Sequence, residues 1–135
     1  MKPAVVYFSR TGNTKRFAQA IAESAKAPLF DMAQTQPSAL AEFDMLIVGN
    51  PVEGASPAKE AVAFMQALPA VDGKKAIVFC TNRLFGAGRT MNAMAKALEG
   101  KGYETVLKIS KKGMKPEKEV DFSKELAEVK KALEQ

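Results

Sequence analysis

Five times along this chain a short apolar run of β type gives way to a segment whose apolar residues recur three and four positions apart, or to a brief turn. That alternation is the strongest constraint on the fold. Strands separated by helices pair in parallel through crossover connections, and a parallel sheet has to be covered on both faces. The spacing predicts strands over 4–8, 28–31, 44–48, 76–80 and 104–109. It predicts helices over 13–26, from Ser56-Pro57 onward, over 89–99 and over 122–133, with a helical turn over 38–42. Ser56 offers an N-cap oxygen, Pro57 suits a first helical position, and Gly100 ends the 89–99 helix. The helical stripes are Phe17, Ala18, Ile21, Ala22 and Ala25; Ala61, Phe64, Met65 and Leu68; Met91, Met94, Ala95 and Leu98; and Phe122, Leu126, Val129 and Leu133. The runs 44–48 and 76–80 are almost wholly apolar, as central strands buried on both sides must be. At 135 residues, one domain over 1–135 with its own core is expected.

In an open α/β sheet, ligands bind beyond the carboxyl ends of the strands. Segments 9–14, 49–57 and 81–88 lie there. The first says most about chemistry. Ser9, Arg10, Thr11, Gly12, Asn13 and Thr14 join the first strand to the first helix. A helix start presents unpaired N–H groups and positive potential, which suit a phosphate. Ser9, Thr11 and Thr14 add hydroxyls, Gly12 can take a positive φ, and Asn13 tolerates left-handed geometry. Capping alone would use serine and threonine too. The coincidence of hydroxyls, glycine and asparagine at this exit favours a phosphomonoester site. Arg10 and Arg16 either touch the ligand or stay at the surface.

The chain has no histidine, which removes Ser-His-Asp and Cys-His catalysis and histidine metal sites. A single cysteine, Cys80, excludes an intrachain disulfide and a cysteine cluster, and no metal site is expected. Cys80 reads as a small buried hydrophobe. The absence of disulfides, of a bilayer-length apolar run and of a secretory leader leads to the expectation of a cytoplasmic protein. The net charge of +5 favours anionic ligands or acidic partner surfaces, and is too scattered to argue for nucleic acid. Between 108 and 118 stand five lysines and one glutamate, either a solvated loop or a docking surface for an acidic redox partner.

With these segments placed, the chain resembles the flavodoxin family over essentially its whole length. The 9–14 segment is similar to that family's phosphate loop. The stretch from Asp44 through Gly54 is similar to its third strand and first flavin loop, and the stretch from Lys75 through Gly88 to its fourth strand and last flavin loop. The resemblance implies a short-chain, flavodoxin-like three-layer α/β/α sandwich. Its five-stranded parallel sheet would have the order 2-1-3-4-5 and would bind FMN. It implies that Ser9, Arg10, Thr11, Gly12, Asn13 and Thr14 surround the FMN phosphate. Asn50, Pro51, Val52, Glu53 and Gly54 would lie along one edge and face of the isoalloxazine, and Thr81, Asn82, Phe85, Gly86 and Gly88 on the other side. The peptide joining Glu53 and Gly54 would hydrogen-bond N5 of the reduced flavin.

The chain departs from the family's pattern in places. Its first flavin loop carries no aromatic residue, and Glu53 stands where related loops often have tryptophan, tyrosine or histidine. Phe85 is the only aromatic of the third segment and either stacks on the flavin or packs on the following helix. The chain is also basic where electron-carrier flavodoxins are typically acidic. The implied function is a monomeric, non-enzymatic FMN electron carrier shuttling between redox proteins with acidic docking surfaces. Two other readings stay open: an FMN-dependent NAD(P)H:quinone-type oxidoreductase, and a phosphate-ligand-binding module with no redox role. A response-regulator receiver is excluded, because Phe8 and Ser9 stand where its acidic residues would be.

Overall fold

Side chains alternate across the first strand, β1 (Pro3–Tyr7): Ala4 and Val6 enter one core, Val5 and Tyr7 another. Two cores require two covering layers, and the computed structural model, which describes residues 2–134, has both. The chain continues through α1 (Asn13–Ala25), β2 (Leu29–Asp31), β3 (Met45–Glu53), β4 (Ser56–Pro57) and α2 (Lys59–Gln66). It ends with β5 (Lys74–Asn82), α3 (Ala87–Glu99), β6 (Tyr103–Lys112) and α4 (Ser123–Leu133). Single 3-10 turns occupy Met32–Gln34 and Pro37–Leu40. The order β2-β1-β3-β5-β6 is parallel throughout, and β4 pairs antiparallel with the end of β3. With β4 set aside, this is the expected 2-1-3-4-5 arrangement.

Helices α2 and α3 cover one face through Ala61, Phe64, Met65, Met91, Met94 and Leu98. Helices α1 and α4 cover the other through Phe17, Ala18, Ile21, Val129 and Ala132. Phe17 meets the Phe79 ring edge-on at 5.2 Å and stacks on Phe122 at 4.9 Å. These contacts press the start of α1 onto the sheet. No helix among the described residues is long and apolar enough to cross a membrane.

Two expectations need correction. Ser56 and Pro57 do not open a helix; they form β4, and α2 begins at Lys59. Asn50 supplies the reason, because its Oδ1 accepts the Ala58 N–H at 2.8 Å, so the helix entry is held by a side chain from β3. The 49–57 segment is therefore an arm of β3 plus a hairpin, with Gly54 (φ 60°) and Ala55 (φ 63°) as its left-handed turn residues. The lysine-rich stretch is likewise not all loop. Lys108, Lys111 and Lys112 belong to β6, an edge strand, where lysines discourage pairing with foreign strands.

Candidate functional site

The carboxyl ends of β1, β3 and β5 adjoin, and the segments leaving them are bonded to one another. Thr14 in the first turn of α1 and Thr81 in β5 are both buried, with hydroxyl oxygens 2.8 Å apart. At Gly86 (φ 96°) an added Cβ would lie 2.8 Å from Ala55 Cα and 3.1 Å from Val52 Cγ1, so the third segment rests directly on the hairpin. Asn13 Nδ2 donates to the Met114 carbonyl at 3.2 Å. Arg16 donates to the carbonyls of Lys115 and Lys118, so it buttresses the segment after β6.

The α1 entry keeps its donors. Gly12, at φ 99°, is the N-cap, makes no side-chain cap bond, and is followed by a first turn without acidic residues. Ser9 Oγ accepts the N–H groups of Gly12 (3.1 Å) and Lys15 (3.2 Å). Among the described residues the amides of Asn13 and Thr14 have no partner, and the Thr11 hydroxyl is exposed and unbonded. Two acceptors on the neighbouring walls, Asn13 Oδ1 and Asn82 Oδ1, are buried without partners. A phosphate matches the free donors of the α1 entry.

Other predicted residues serve the framework. The Asn50 side chain is fully buried, its Oδ1 accepting the Ala58 N–H and its Nδ2 donating to the Met94 sulfur, so both polar atoms are engaged within the framework. Pro51, Val52 and Glu53 form the half-buried outer arm of β3, and Gly88 lies in the first turn of α3. Phe85 is 76% exposed and Leu84 71%, so Phe85 does not pack on α3. Cys80 is buried; burial pushes its thiol up to about 12, which keeps it protonated and unreactive.

Arg10 is held by two carboxylates, Glu53 on the hairpin arm and Glu60 in α2. The Arg10 hydrogen bonds hold the Glu60 carboxyl below the usual glutamate range. A depressed carboxyl contributes above its ordinary pKa and is lost as pH falls through the lowered one, so the Glu60 contact weakens on acidification below the ordinary glutamate range. Glu60 escapes a reading of the sequence, since it stands in no motif and is 50 residues from its partner.

The sequence profile described as the flavodoxin domain matches residues 4–104. The chain belongs to the flavodoxin family. Among solved structures, flavodoxin 1 of Bacillus cereus aligns with a TM-score of 0.83 at 21% identity, over 100% of this chain and 99% of that one. Flavodoxin 2 of Bacillus cereus gives 0.81 at 25% identity, over 99% of each chain. The two-electron reduced flavodoxin of Megasphaera elsdenii gives 0.75 at 27%, over 94% of this chain and 96% of that one. No curated protein sequence matches the chain. Flavodoxin-family members bind FMN and serve as electron carriers.

Proposed function

We propose that this flavodoxin-family chain holds FMN non-covalently across the ends of β1, β3 and β5 and shuttles electrons between redox proteins. The observation that carries the reading is the α1 entry, with unpaired amides at Asn13 and Thr14, a free Thr11 hydroxyl and no acidic side chain in its first turn. These groups would take the phosphate. Gly12 would admit it closely, and Ser9 would shape the loop by holding two of its amides. Thr14 and Thr81 would hold the first and third segments together. The arm from Asn50 to Gly54 would form one wall through its backbone and Val52. Asn82, Phe85, Gly86 and Gly88 would form the other.

Bound FMN would accept and release the electrons; the chain binds, orients and shields it. Leu84 and Phe85, flanked by exposed Arg83 and Arg89, give an apolar contact with a basic rim. That surface suits a redox partner with an acidic docking face. The carrier reading is tested by adding NAD(P)H anaerobically to the FMN-loaded protein. The flavin should stay oxidised, while dithionite reduces it and ferricyanide reoxidises it in proportion. Rapid bleaching by NAD(P)H alone would make the protein an oxidoreductase instead.

Glu53 places a carboxylate on the flavin-facing arm. Glu53→Gln is expected to raise the midpoint potential of the flavin's second reduction step by an amount on the order of tens of millivolts, because one negative charge opposing reduction is removed. Spectroelectrochemical titration checks this, and an unchanged potential removes Glu53 from the site.

A further inference from the structure

Arg10 stands on the phosphate loop, yet its guanidinium turns away along the loop's flank. Its Nε and Nη2 donate to the two oxygens of Glu53, both at 2.8 Å. Its Nη1 and Nη2 donate to the two oxygens of Glu60 at 2.8 and 3.0 Å. The guanidinium carbon lies 4.8 Å from the centre of the Phe8 ring. Of the five N–H donors an arginine possesses, four are spent. Glu53 ends β3, immediately before the left-handed pair Gly54 and Ala55, and Glu60 lies in the first turn of α2.

Resting on the FMN reading, we propose that Arg10 is a positioning residue and not a phosphate ligand. It clasps the hairpin arm to the phosphate loop, so that the wall for the flavin ring is set before the cofactor arrives. The charge balance supports this. One guanidinium between two carboxylates carries a net negative charge, so the cluster as it stands offers no attraction to a phosphate dianion. The geometry supports it as well, because the planar fork meets both carboxylates through paired bonds, an arrangement a lysine cannot reproduce. An isolated surface ion pair is weak, but a guanidinium shared by two carboxylates and resting on an aromatic face is a network with fixed geometry. The hairpin needs such a tie, since Ala55 sits in a backbone region that alanine disfavours. Gly86 supports the turn from one side and Arg10 holds its root from the other.

Arg10→Met and Arg10→Lys, each verified as folded by circular dichroism, test the clasp in two ways. Amide hydrogen exchange on the flavin-free protein should quicken about fivefold at Glu53 and Ser56, the pair that closes the hairpin, in both variants, with Ile21 in the middle of α1 unaffected. In titrations with FMN and with riboflavin, both ligands should weaken by a similar factor of about five, leaving their affinity ratio as in the wild type. Unchanged exchange at the hairpin would overturn the clasp. A loss confined to FMN would also overturn it, by placing Arg10 on the phosphate. If the wild-type protein binds neither flavin, the FMN reading fails, and the exchange measurement still decides whether Arg10 holds the hairpin.

Discussion

Phe17→Ala is expected to cost about 3–5 kcal/mol of folding free energy, the range for deleting a buried aromatic ring. For a chain of this size that is a fall of roughly 10–18 °C in melting temperature. Phe17 is fully buried, and its ring is the common neighbour of Phe79 in β5 and Phe122 ahead of α4. The Phe79 ring also fills the space over Gly49, so the cluster is closely packed on its sheet side. A Cβ at Gly49 would lie 2.0 Å from that ring. Phe17 also sits three residues beyond Thr14, so its loss frees the turn that presents the Asn13 and Thr14 amides. Phe17→Leu, which keeps most of the volume, should cost roughly 1–1.5 kcal/mol. Thermal and urea denaturation check both values. A Phe17→Ala cost below about 1 kcal/mol would mean that the ring cluster does not anchor α1.

Gly86→Ala should weaken FMN binding by tenfold or more, on the order of 1–2 kcal/mol. Two effects act together. The residue holds φ 96°, which an L side chain rarely adopts, and its Cβ would meet the Ala55 backbone at 2.8 Å. The free protein can relieve the contact by letting the third segment and the hairpin move apart. The loaded protein has to bring them back, so the penalty appears in affinity more than in the free protein's melting temperature. Gly100→Ala is the control away from the site, since Gly100 holds φ −63° and a Cβ there makes only an ordinary contact, 3.5 Å from the Ala97 carbonyl oxygen. Isothermal titration of the two variants should show a large loss for the first and little for the second. Equal affinities would show that the two segments do not grip one ligand together.

What was legible in the sequence was local. The apolar runs located five strands because a strand buried on both faces tolerates few polar residues, and the helical stripes recur in the two cores. The proposed phosphate loop could be picked out because its hydroxyls, glycine and asparagine stand in six consecutive residues. The rest depended on contacts between distant residues. Ser56-Pro57 carries a helix-start signal, but Asn50 takes the amide at the entry to α2, and the pair becomes a strand instead. The hydroxyl oxygens of Ser9 and Thr14 also bond within the framework, which composition cannot reveal. The Arg10 tie joins residues 43 and 50 positions apart, and nothing in either segment announces the other. The edge strand reached Lys112 where apolar content suggested a stop at 109, because edge positions accept lysine.

Titration of the flavin-free protein with FMN and with riboflavin, followed by flavin fluorescence, tests the central claim most directly. Two or more charge-assisted hydrogen bonds from the α1 entry should make FMN bind on the order of 100-fold tighter than its phosphate-free counterpart. Equal affinities, or no saturable binding of FMN, would contradict the account.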